Sequence, residues 1–268
     1  VNLPPFTIEE LPKGVERSAH WLRGGFPLSL FSGSDGGSYR WREQFVRTYL
    51  ERDIPALGID LTRPALERLW TMLAAGNGSI LNRAKLAEPA GVSPRTIQRY
   101  LDILEATFMV RVLRPYFANT RKRLVRSPKV YIRDSGVLHA LLRLESWDAL
   151  YGHPGIGASW ESYVIEQVAT ALPEWNAWFY RTSAGAELDL VLEQPNRRIA
   201  VEIKSARSPR ITRGFYSACD DIGADTRYVV APLEDPEIFP IGSNSWICTP
   251  DRLIESVRKG ATPTRQKP

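Results

Sequence analysis

The spacing of apolar residues divides the chain into a first half with helical periodicity and a last hundred residues in which apolar and polar positions alternate. After Ser93, apolar side chains recur every three or four residues, which is typical of a helix with one buried face. Ser93 is a good N-cap and Pro94 a good first helical residue, so we predict that the helix begins there. The predicted buried stripe consists of Ile97, Leu101, Leu104 and Phe108.

Two shorter helical patterns precede this helix, and two strand-like patterns follow it. The helices are predicted at 64–75 and 81–88, and the strands at 111–113 and 130–132. This order is that of a helix-turn-helix unit followed by a wing. The residues expected to face outward at the start of the third helix are Arg95, Thr96, Gln98 and Arg99.

The first 60 residues are predicted to form short helices and loops, with the clearest helix at 41–54. The cluster at 32–38, rich in Ser and Gly, is typical of a turn or linker. No Gly-x-x-x-x-Gly-Lys-[Ser/Thr] motif occurs in the chain, so we do not expect it to bind a nucleotide in P-loop fashion.

Positive charge is concentrated between the two predicted strands of the wing. From residue 111 to residue 133 the chain has basic side chains and no acidic one, within a net charge of +5. A basic wing predicts salt-dependent contacts with nucleic-acid phosphates, here through Arg121, Lys122, Arg123 and Arg126. Base edges would be contacted by Arg95, Gln98 and Arg99. The alternatives are a protein-interaction module or a basic surface that is only solvated.

The last hundred residues alternate helical and strand patterns in the order α-β-β-β-α-β-β-α. Helices are predicted at 159–172, 215–222 and 250–259, and strands at 177–181, 187–193, 198–204, 227–231 and 246–248. This order predicts a mixed sheet with helices on both faces, and thus an α/β fold class after a helical first part.

Two carboxylates and an ammonium fall together if residues 187–204 form a hairpin. Closing the hairpin about Pro195-Asn196 pairs positions that sum to 391, which places Asp189 opposite Glu202. Glu202 and Lys204 share a face because strand side chains alternate. Adjacent carboxylates repel each other, and a divalent cation with oxygen ligands relieves that repulsion.

The helix before the hairpin adds a third acid. Glu161 lies on the apolar stripe of the predicted helix with Val164, Ile165 and Val168, and an acid in such a place usually has a partner. Glu166 is predicted to face solvent and is the weaker candidate.

These residues resemble the motif of the PD-(D/E)XK nuclease superfamily, which has a restriction-endonuclease-like fold. The pattern is a helical Glu, an Asp on a strand, and Glu-x-Lys on the next strand, here Glu161, Asp189, Glu202 and Lys204. Leu188 stands where many members have Pro. The Glu-Leu-Asp form is more similar to the Holliday-junction-resolvase branch, with Glu187 a candidate extra ligand. The resemblance implies Mg²⁺ or Mn²⁺ held by the carboxylates and the Ile203 carbonyl, with Lys204 beside the scissile phosphate.

The whole chain resembles the C-terminal region of prokaryotic AAA-type ATPases of unknown function. The residues that carry this resemblance are Trp21-Leu22-Arg23-Gly24-Gly25-Phe26-Pro27, Tyr49-Leu50-Glu51-Arg52-Asp53-Ile54 and Gly185-Ala186-Glu187-Leu188-Asp189. The resemblance implies a lid or connector segment at 1–60, a winged-helix domain at 61–150 and a nuclease-like domain at 151–268. It also implies an upstream ATPase domain as partner. The first residues, Val1-Asn2, indicate an interior piece of a longer protein or a processed N-terminus.

The sequence thus predicts a Mg²⁺-dependent DNA hydrolase, and the alternative is a non-catalytic DNA- or protein-binding adaptor of an ATPase. Two cysteines, Cys219 and Cys248, are too few for a disulfide framework, which favours a reducing cytoplasm. Cys219 is predicted to be a buried small apolar residue. The three histidines show no metal-ligand spacing and are predicted to be structural. No apolar run approaches the roughly 20 residues that cross a bilayer, so no membrane contact is expected.

Overall fold

A computed structural model describes residues 4–58, 61–118, 122–234 and 237–260 of the 268-residue chain. The chain forms two compact units, the first from residues 1–112 and 130–163 and the second from 113–129 and 164–268. A helical N-terminal region precedes a domain with a six-stranded mixed sheet, which confirms the predicted α/β fold class.

The first unit is built mainly from helices. Its described elements are α1 (Arg17–Arg23), α2 (Pro27–Leu30), α3 (Asp35–Thr48), α4 (Ile54–Ala56), α5 (Arg63–Ala75), α6 (Arg83–Ala90), α7 (Pro94–Ala106), the paired strands β1 (Val110–Leu113) and β2 (Lys129–Ile132), α8 (Ser135–Leu141) and α9 (Trp147–Tyr151). Helix α10 (Ile156–Ala171) continues from the first unit into the second at Tyr163. The three helices and two strands predicted between residues 62 and 140 are present, whereas α8 and α9 were not predicted.

Helix α3 begins inside the Ser- and Gly-rich cluster that was expected to be a turn or linker. Ser34 is the N-cap, and its side chain accepts a hydrogen bond from the Gly37 N–H at 3.1 Å. Ser38 is fully buried, with its hydroxyl 2.8 Å from that of Ser29. The cap and this close packing outweigh the low helix propensity of the glycines. A π-helical stretch, Tyr49–Asp53, follows the helix.

Helix α7 confirms the predicted N-cap and most of the predicted stripe. The Ser93 hydroxyl accepts from the Thr96 N–H at 3.1 Å, and Ile97, Leu101 and Leu104 are buried. Phe108 was wrongly placed in the stripe, because the helix ends at Ala106. Phe108 has a φ of 62° and is 49% exposed.

Two buried histidines in the first unit are held as neutral rings. Nδ1 of His139 lies 2.9 Å from the Leu22 carbonyl oxygen, which can only accept, so Nδ1 carries the hydrogen. Nε2 then accepts from the Ser159 hydroxyl at 2.7 Å. His20 is held in the same manner, with Nε2 donating to the Phe6 carbonyl at 2.9 Å and Nδ1 accepting from the Tyr163 hydroxyl at 3.0 Å. Burial lowers the pKa of His139 to about 3 and that of His20 to about 4.

Because of these two histidines, the free energy of unfolding of the first unit should be lower in mild acid than at neutral pH. Their pKa values rise to about 6.5 on unfolding, so the stabilisation is complete above pH 6.5 and is lost as the pH falls toward 4. At about 1.4 kcal/mol per pH unit for each ring, the loss at pH 5 is about 4 kcal/mol in total. Thermal unfolding followed by tryptophan fluorescence should therefore show a lower melting temperature at pH 5.0 than at pH 7.5. A His153→Asn variant, changed at a half-buried histidine, should show the same fall. Equal melting temperatures at the two pH values would contradict this account.

The second unit contains a six-stranded sheet in the order β3-β4-β5-β6-β8-β7. Its strands are β3 (Asn176–Arg181), β4 (Glu187–Gln194), β5 (Arg197–Ile203), β6 (Thr226–Val230), β7 (Phe239–Gly242) and β8 (Ser245–Cys248), and its further helices are α11 (Arg213–Ile222) and α12 (Pro250–Arg258). The β5–β6 and β6–β8 pairs are parallel and the other pairs are antiparallel. Strand β7 was not predicted, because its Pro and Gly hide the strand pattern and are tolerated only at an edge.

Helices α11 and α12 cover opposite faces of this sheet, as predicted. Helix α11 packs Phe215 and Cys219 into the core that contains Ala200. Val201, the residue after Ala200 in β5, faces the other side of the sheet and pairs with Tyr228. The Tyr228 hydroxyl lies 2.7 Å from the Ser256 hydroxyl of α12, within hydrogen-bond distance. Cys219 is fully buried, which confirms its expected role as a small apolar residue.

The described parts of the basic stretch between β1 and β2 lie along the outer edge of β3. We call residues 114–118 and 122–126 the edge segment. The described bonds between the segment and the strand are Phe179 N–H to Arg114 O (3.1 Å), Tyr116 N–H to Phe179 O (2.6 Å), Val125 N–H to Arg181 O (3.0 Å) and Ser183 N–H to Arg123 O (2.8 Å). This stretch, expected to be a wing, is therefore part of the second unit and covers a sheet edge that would otherwise present unpaired main-chain groups.

Candidate active site on the β4–β5 hairpin

The β4–β5 hairpin has the predicted register. Its pairs run from Gln194–Arg197 to Leu190–Val201, each summing to 391, about a two-residue turn at Pro195-Asn196. Asp189 and Glu202 are the next residues beyond the last of these pairs.

A β-bulge lies in β4 at Asp189. Trp178 of β3 pairs with Val191 and Tyr180 pairs with Leu188, so Asp189 and Leu190 together oppose Phe179. A bulge bends its strand and re-aims a side chain. Here the Asp189 carboxylate reaches the end of β5, where Oδ2 accepts a hydrogen bond from the Ile203 N–H at 2.7 Å.

The main chain of Ile203 faces β4. The following residue, Lys204, donates its N–H to the Val230 carbonyl of β6 at 2.9 Å, so alternate residues of β5 bond to opposite neighbours. Because the N–H and C=O of one strand residue point to the same side, the Ile203 carbonyl is directed toward the Asp189 side of the strand.

Glu202 and Lys204 form an ion pair on one face of β5. Nζ of Lys204 lies 2.5 Å from Oε1 of Glu202. Glu202 is 8% exposed and Asp189 is 9% exposed, whereas the Lys204 side chain is 36% exposed. The hairpin end thus holds two buried acids beside a partly accessible ammonium. The predicted sharing of a face by Glu202 and Lys204 is confirmed.

Glu187, suggested by the resemblance as an extra ligand, forms ion pairs with two basic residues. Its carboxylate lies 2.8 Å from Nζ of Lys129 and 3.5 Å from Nη1 of Arg181. Lys129 is 3% exposed, and its ammonium also lies 5.5 Å from the centre of the Phe179 ring. Sequence reasoning counted Lys129 only as part of the basic stretch. Its position before the apolar run Val130-Tyr131-Ile132 was the available signal that it is buried.

The helical acids are arranged differently from the prediction. Glu161 is half-buried and accepts a 2.5 Å hydrogen bond from the Tyr131 hydroxyl, so it has the partner that its apolar neighbours predicted. Glu166, predicted to face solvent, is only 8% exposed and accepts from the Thr170 hydroxyl at 3.1 Å. Glu161 belongs to the first unit, whereas Glu166, Asp189 and Glu202 belong to the second.

The groups at the hairpin end fit a hard divalent cation by their chemistry. Mg²⁺ is typically held by one or two carboxylates, with other oxygen donors and water completing the shell. Asp189 and Glu202 would supply the carboxylates and Ile203 a carbonyl oxygen. Across the described ranges, no group of three or more His, Cys, Asp and Glu side chains is arranged to hold a metal ion.

The side chains proposed to read bases lie on α7 in different surroundings. Arg95 and Arg99 are exposed. The Gln98 side chain donates to the Asp102 carboxylate at 2.7 Å and accepts from Arg83. Both ends of the Gln98 amide are therefore bonded to neighbouring side chains of the same unit. The Asp102 carboxylate beside it makes the outer face of α7 less positive than the sequence indicated.

The basic residues proposed to contact phosphates also differ from one another. Arg123 and Arg126 are exposed, and Arg121 lies outside the described residues. Lys122 donates to the Asp221 carboxylate of α11 at 2.7 Å and to the Ser217 hydroxyl at 3.2 Å. Lys122 thus fixes the edge segment to helix α11.

Comparison with known proteins identifies a domain in each half of the chain. Residues 16–148 match a domain of unknown function, DUF8612, and residues 156–249 match another, DUF4143. Both domains are thus present.

Two curated relatives match most of the chain. One is an uncharacterized protein of Mycobacterium tuberculosis and the other an uncharacterized protein of Mycobacterium bovis, each 40% identical over 234 residues. The match covers 87% of this chain and 53% of each relative, so the chain spans about half the length of these relatives. None of the described helices has the length and apolar character needed to cross a bilayer.

Proposed function

We propose that this chain, which carries a DUF8612 domain followed by a DUF4143 domain, is a metal-dependent DNA endonuclease within a larger AAA-type ATP-binding protein. DUF4143 is found in C-terminal regions associated with AAA-type ATPases. The greater length of the mycobacterial relatives is consistent with an ATPase domain elsewhere in the protein. The reaction and this association are both proposals.

The observation that carries the nuclease proposal is the end of the β4–β5 hairpin. There the Asp189 carboxylate accepts a hydrogen bond from the Ile203 N–H, and the Glu202 carboxylate lies 2.5 Å from Nζ of Lys204, with both acids buried. Asp189, Glu202 and the Ile203 carbonyl would hold Mg²⁺ or Mn²⁺.

The residues of this site have distinct tasks in phosphodiester hydrolysis. A bound divalent cation supplies Lewis acidity and positive charge at the scissile phosphate. The Ile203 N–H fixes the orientation of the Asp189 carboxylate. Lys204, the most exposed member, would place its ammonium against the phosphate oxygens that gain charge, or orient the attacking water.

DNA contact in this proposal has two sources. Helices α5, α6 and α7 with strands β1 and β2 have the order of a winged helix, and Arg95 and Arg99 are exposed at the start of its third helix. The edge segment contributes Arg123 and Arg126, which would contact phosphates without reading sequence.

A non-catalytic adaptor is the second candidate, and one observation favours it. The carboxylates of the hairpin end already have protein partners, since Lys204 neutralises Glu202 and the Ile203 N–H bonds to Asp189. A site satisfied in this way can persist as structure. In that case the protein would dock DNA or another protein under the control of an ATPase.

Calorimetric titration with Mn²⁺ and Mg²⁺ distinguishes the two candidates. The full chain should bind either ion, and Asp189→Asn should weaken the affinity by at least about 10-fold, because it removes a charged ligand. Asp220→Asn changes an exposed aspartate of the same unit and should leave the affinity unchanged. Absence of binding by the unaltered chain would refute the nuclease and leave the adaptor.

A further inference from the structure

Phe117 presents a large apolar side chain to solvent in the middle of the edge segment. It is 63% exposed, although Pro115 before it is buried and Tyr116 is half-buried, with its hydroxyl donating to Glu193 at 3.1 Å. The neighbours thus anchor the main chain while Phe117 projects outward. A single exposed phenylalanine is ordinary by itself, so its surroundings decide what it indicates.

Exposed arginines flank Phe117 along the edge segment. Arg114, Arg123 and Arg126 are all exposed, in a stretch that has no acidic residue from 111 to 133. Two of the other cations of this stretch are neutralised, Lys122 by Asp221 and Lys129 by Glu187. The neutralised lysines fix the segment, and the arginines remain directed to solvent.

Hydrogen bonds hold both described parts of the segment against the second unit's sheet and helix α11. Main-chain bonds join both of its described parts to β3, at Tyr116 and at Val125. Lys122 adds a contact to Asp221, which also accepts from the Tyr180 hydroxyl at 2.9 Å. A platform already ordered in this way loses little conformational freedom when a ligand binds.

The edge segment lies at the same end of the sheet as the acidic pair. Arg123 is bonded to Ser183, in the turn between β3 and β4, and Arg181 at the end of β3 pairs with Glu187 at the start of β4. From the edge segment to β5 there are three strand spacings, or about 14 Å.

We propose that the edge segment is a platform for single-stranded nucleic acid, in which Phe117 stacks on an unpaired base and Arg114, Arg123 and Arg126 contact the adjoining phosphates. An aromatic side chain has access to the face of a base that is unpaired, whereas the bases of a duplex already stack on each other. Aromatic stacking beside a basic track is the usual means of binding single strands without sequence preference. The platform would also lead the strand to Asp189 and Glu202, and this part of the inference rests on the proposed function.

The test is fluorescence anisotropy with the full chain and a labelled oligothymidine, in EDTA so that no strand is cut. The unaltered chain should bind the single strand more tightly than a duplex of equal length. Phe117→Ala should weaken single-strand binding by roughly 5- to 100-fold and leave duplex binding within about two-fold. Phe117→Trp should retain single-strand binding. Phe239→Ala, at another exposed phenylalanine of the second unit, should change neither.

The arginines give a second readout. Arg123→Gln should reduce the slope of log affinity against log salt for the single strand by about 0.7, as expected for the loss of one phosphate contact. A Phe117→Ala variant that binds the single strand normally, or loses single-strand and duplex binding equally, overturns the platform.

Failure of the platform and failure of the nuclease are distinguishable. If the oligonucleotide results hold but no cleavage occurs with Mg²⁺, the platform is supported and the nuclease is refuted. If Asp189-dependent cleavage occurs while Phe117→Ala has no effect on binding, the platform is refuted and the nuclease is supported.

Discussion

Replacing Lys204 by alanine should reduce cleavage of DNA by roughly 10²- to 10³-fold, the usual cost of removing a group that stabilises charge in the transition state. The affinity of the Lys204→Ala variant for Mg²⁺ should stay the same or rise. The ammonium of Lys204 lies 2.5 Å from Glu202 and competes with a cation for that carboxylate, so its removal does not weaken metal binding. Asp189→Ala should abolish cleavage together with metal binding. The measurements are the rate of cleavage of a labelled strand and calorimetric metal affinity.

The control for Lys204→Ala is Lys259→Ala, which removes an exposed lysine bonded to Glu255 on α12. It should cleave at the rate of the unaltered chain. Circular dichroism should show that the variants remain folded, since Lys204 is partly exposed at the end of its strand. Cleavage that survives both Asp189→Ala and Lys204→Ala would exclude the hairpin end as the active site.

Gly136→Ala should destabilise the first unit by about 3 kcal/mol, at the upper end of the usual cost of overpacking a tight contact. A Cβ at this position would lie 2.1 Å from the Arg23 carbonyl oxygen, a main-chain atom, so rotation of a side chain cannot relieve the clash. Asp134 lies beside this contact. Its carboxylate accepts a hydrogen bond from the Val137 N–H, as the N-cap of α8, and another from the Gly25 N–H, each at a distance of 2.8 Å. The melting temperature should fall by roughly 6–12 °C.

Gly33→Ala is the matched control, since a Cβ there meets no atom within 4 Å. It should change the melting temperature by no more than about 2 °C. If the two variants melt at the same temperature, the close approach of α8 to Arg23 does not contribute to the free energy of unfolding. This contact also gives a physical reason for the small residues in Arg23-Gly24-Gly25, because a Cβ on Gly24 would lie 2.2 Å from Oδ1 of Asp134.

Sequence reasoning predicted the hairpin register because that register depends on local features. A two-residue turn and strict alternation fix which positions pair, so the position of Glu202 and the face shared with Lys204 followed directly. The bulge at Asp189 could not be predicted in this manner. It arises from an extra residue of β4 opposite Phe179 of β3, and counting along one hairpin does not reveal a mismatch with a third strand.

The error at Glu166 has a different cause. The prediction assumed that helix α10 has one buried face and one solvated face, but every residue from Ser162 to Val168 is buried. A helix buried on all sides carries no stripe to separate inward from outward positions. The prediction for Phe108 was wrong for a related reason. The periodic pattern of apolar residues continues in the sequence to Phe108, whereas the helix ends at Ala106.

The basic stretch shows the limit of reading charge along a chain. Eight cations without an acid indicated a solvated, phosphate-binding wing. The acids that neutralise Lys122 and Lys129 are Asp221 and Glu187, which are distant in sequence. Only the fold shows which cations hold the segment in place and which remain available.

The chain passes from one unit to the other at residues 112–113, 129–130 and 163–164. Neither unit is therefore a continuous stretch of polypeptide, and no single cut separates them. A fragment that began at residue 151 would leave the outer edge of β3 bare and Glu187 without Lys129. Trimming this protein into halves for study, or grafting its C-terminal half onto another protein, thus requires that residues 113–129 be carried along.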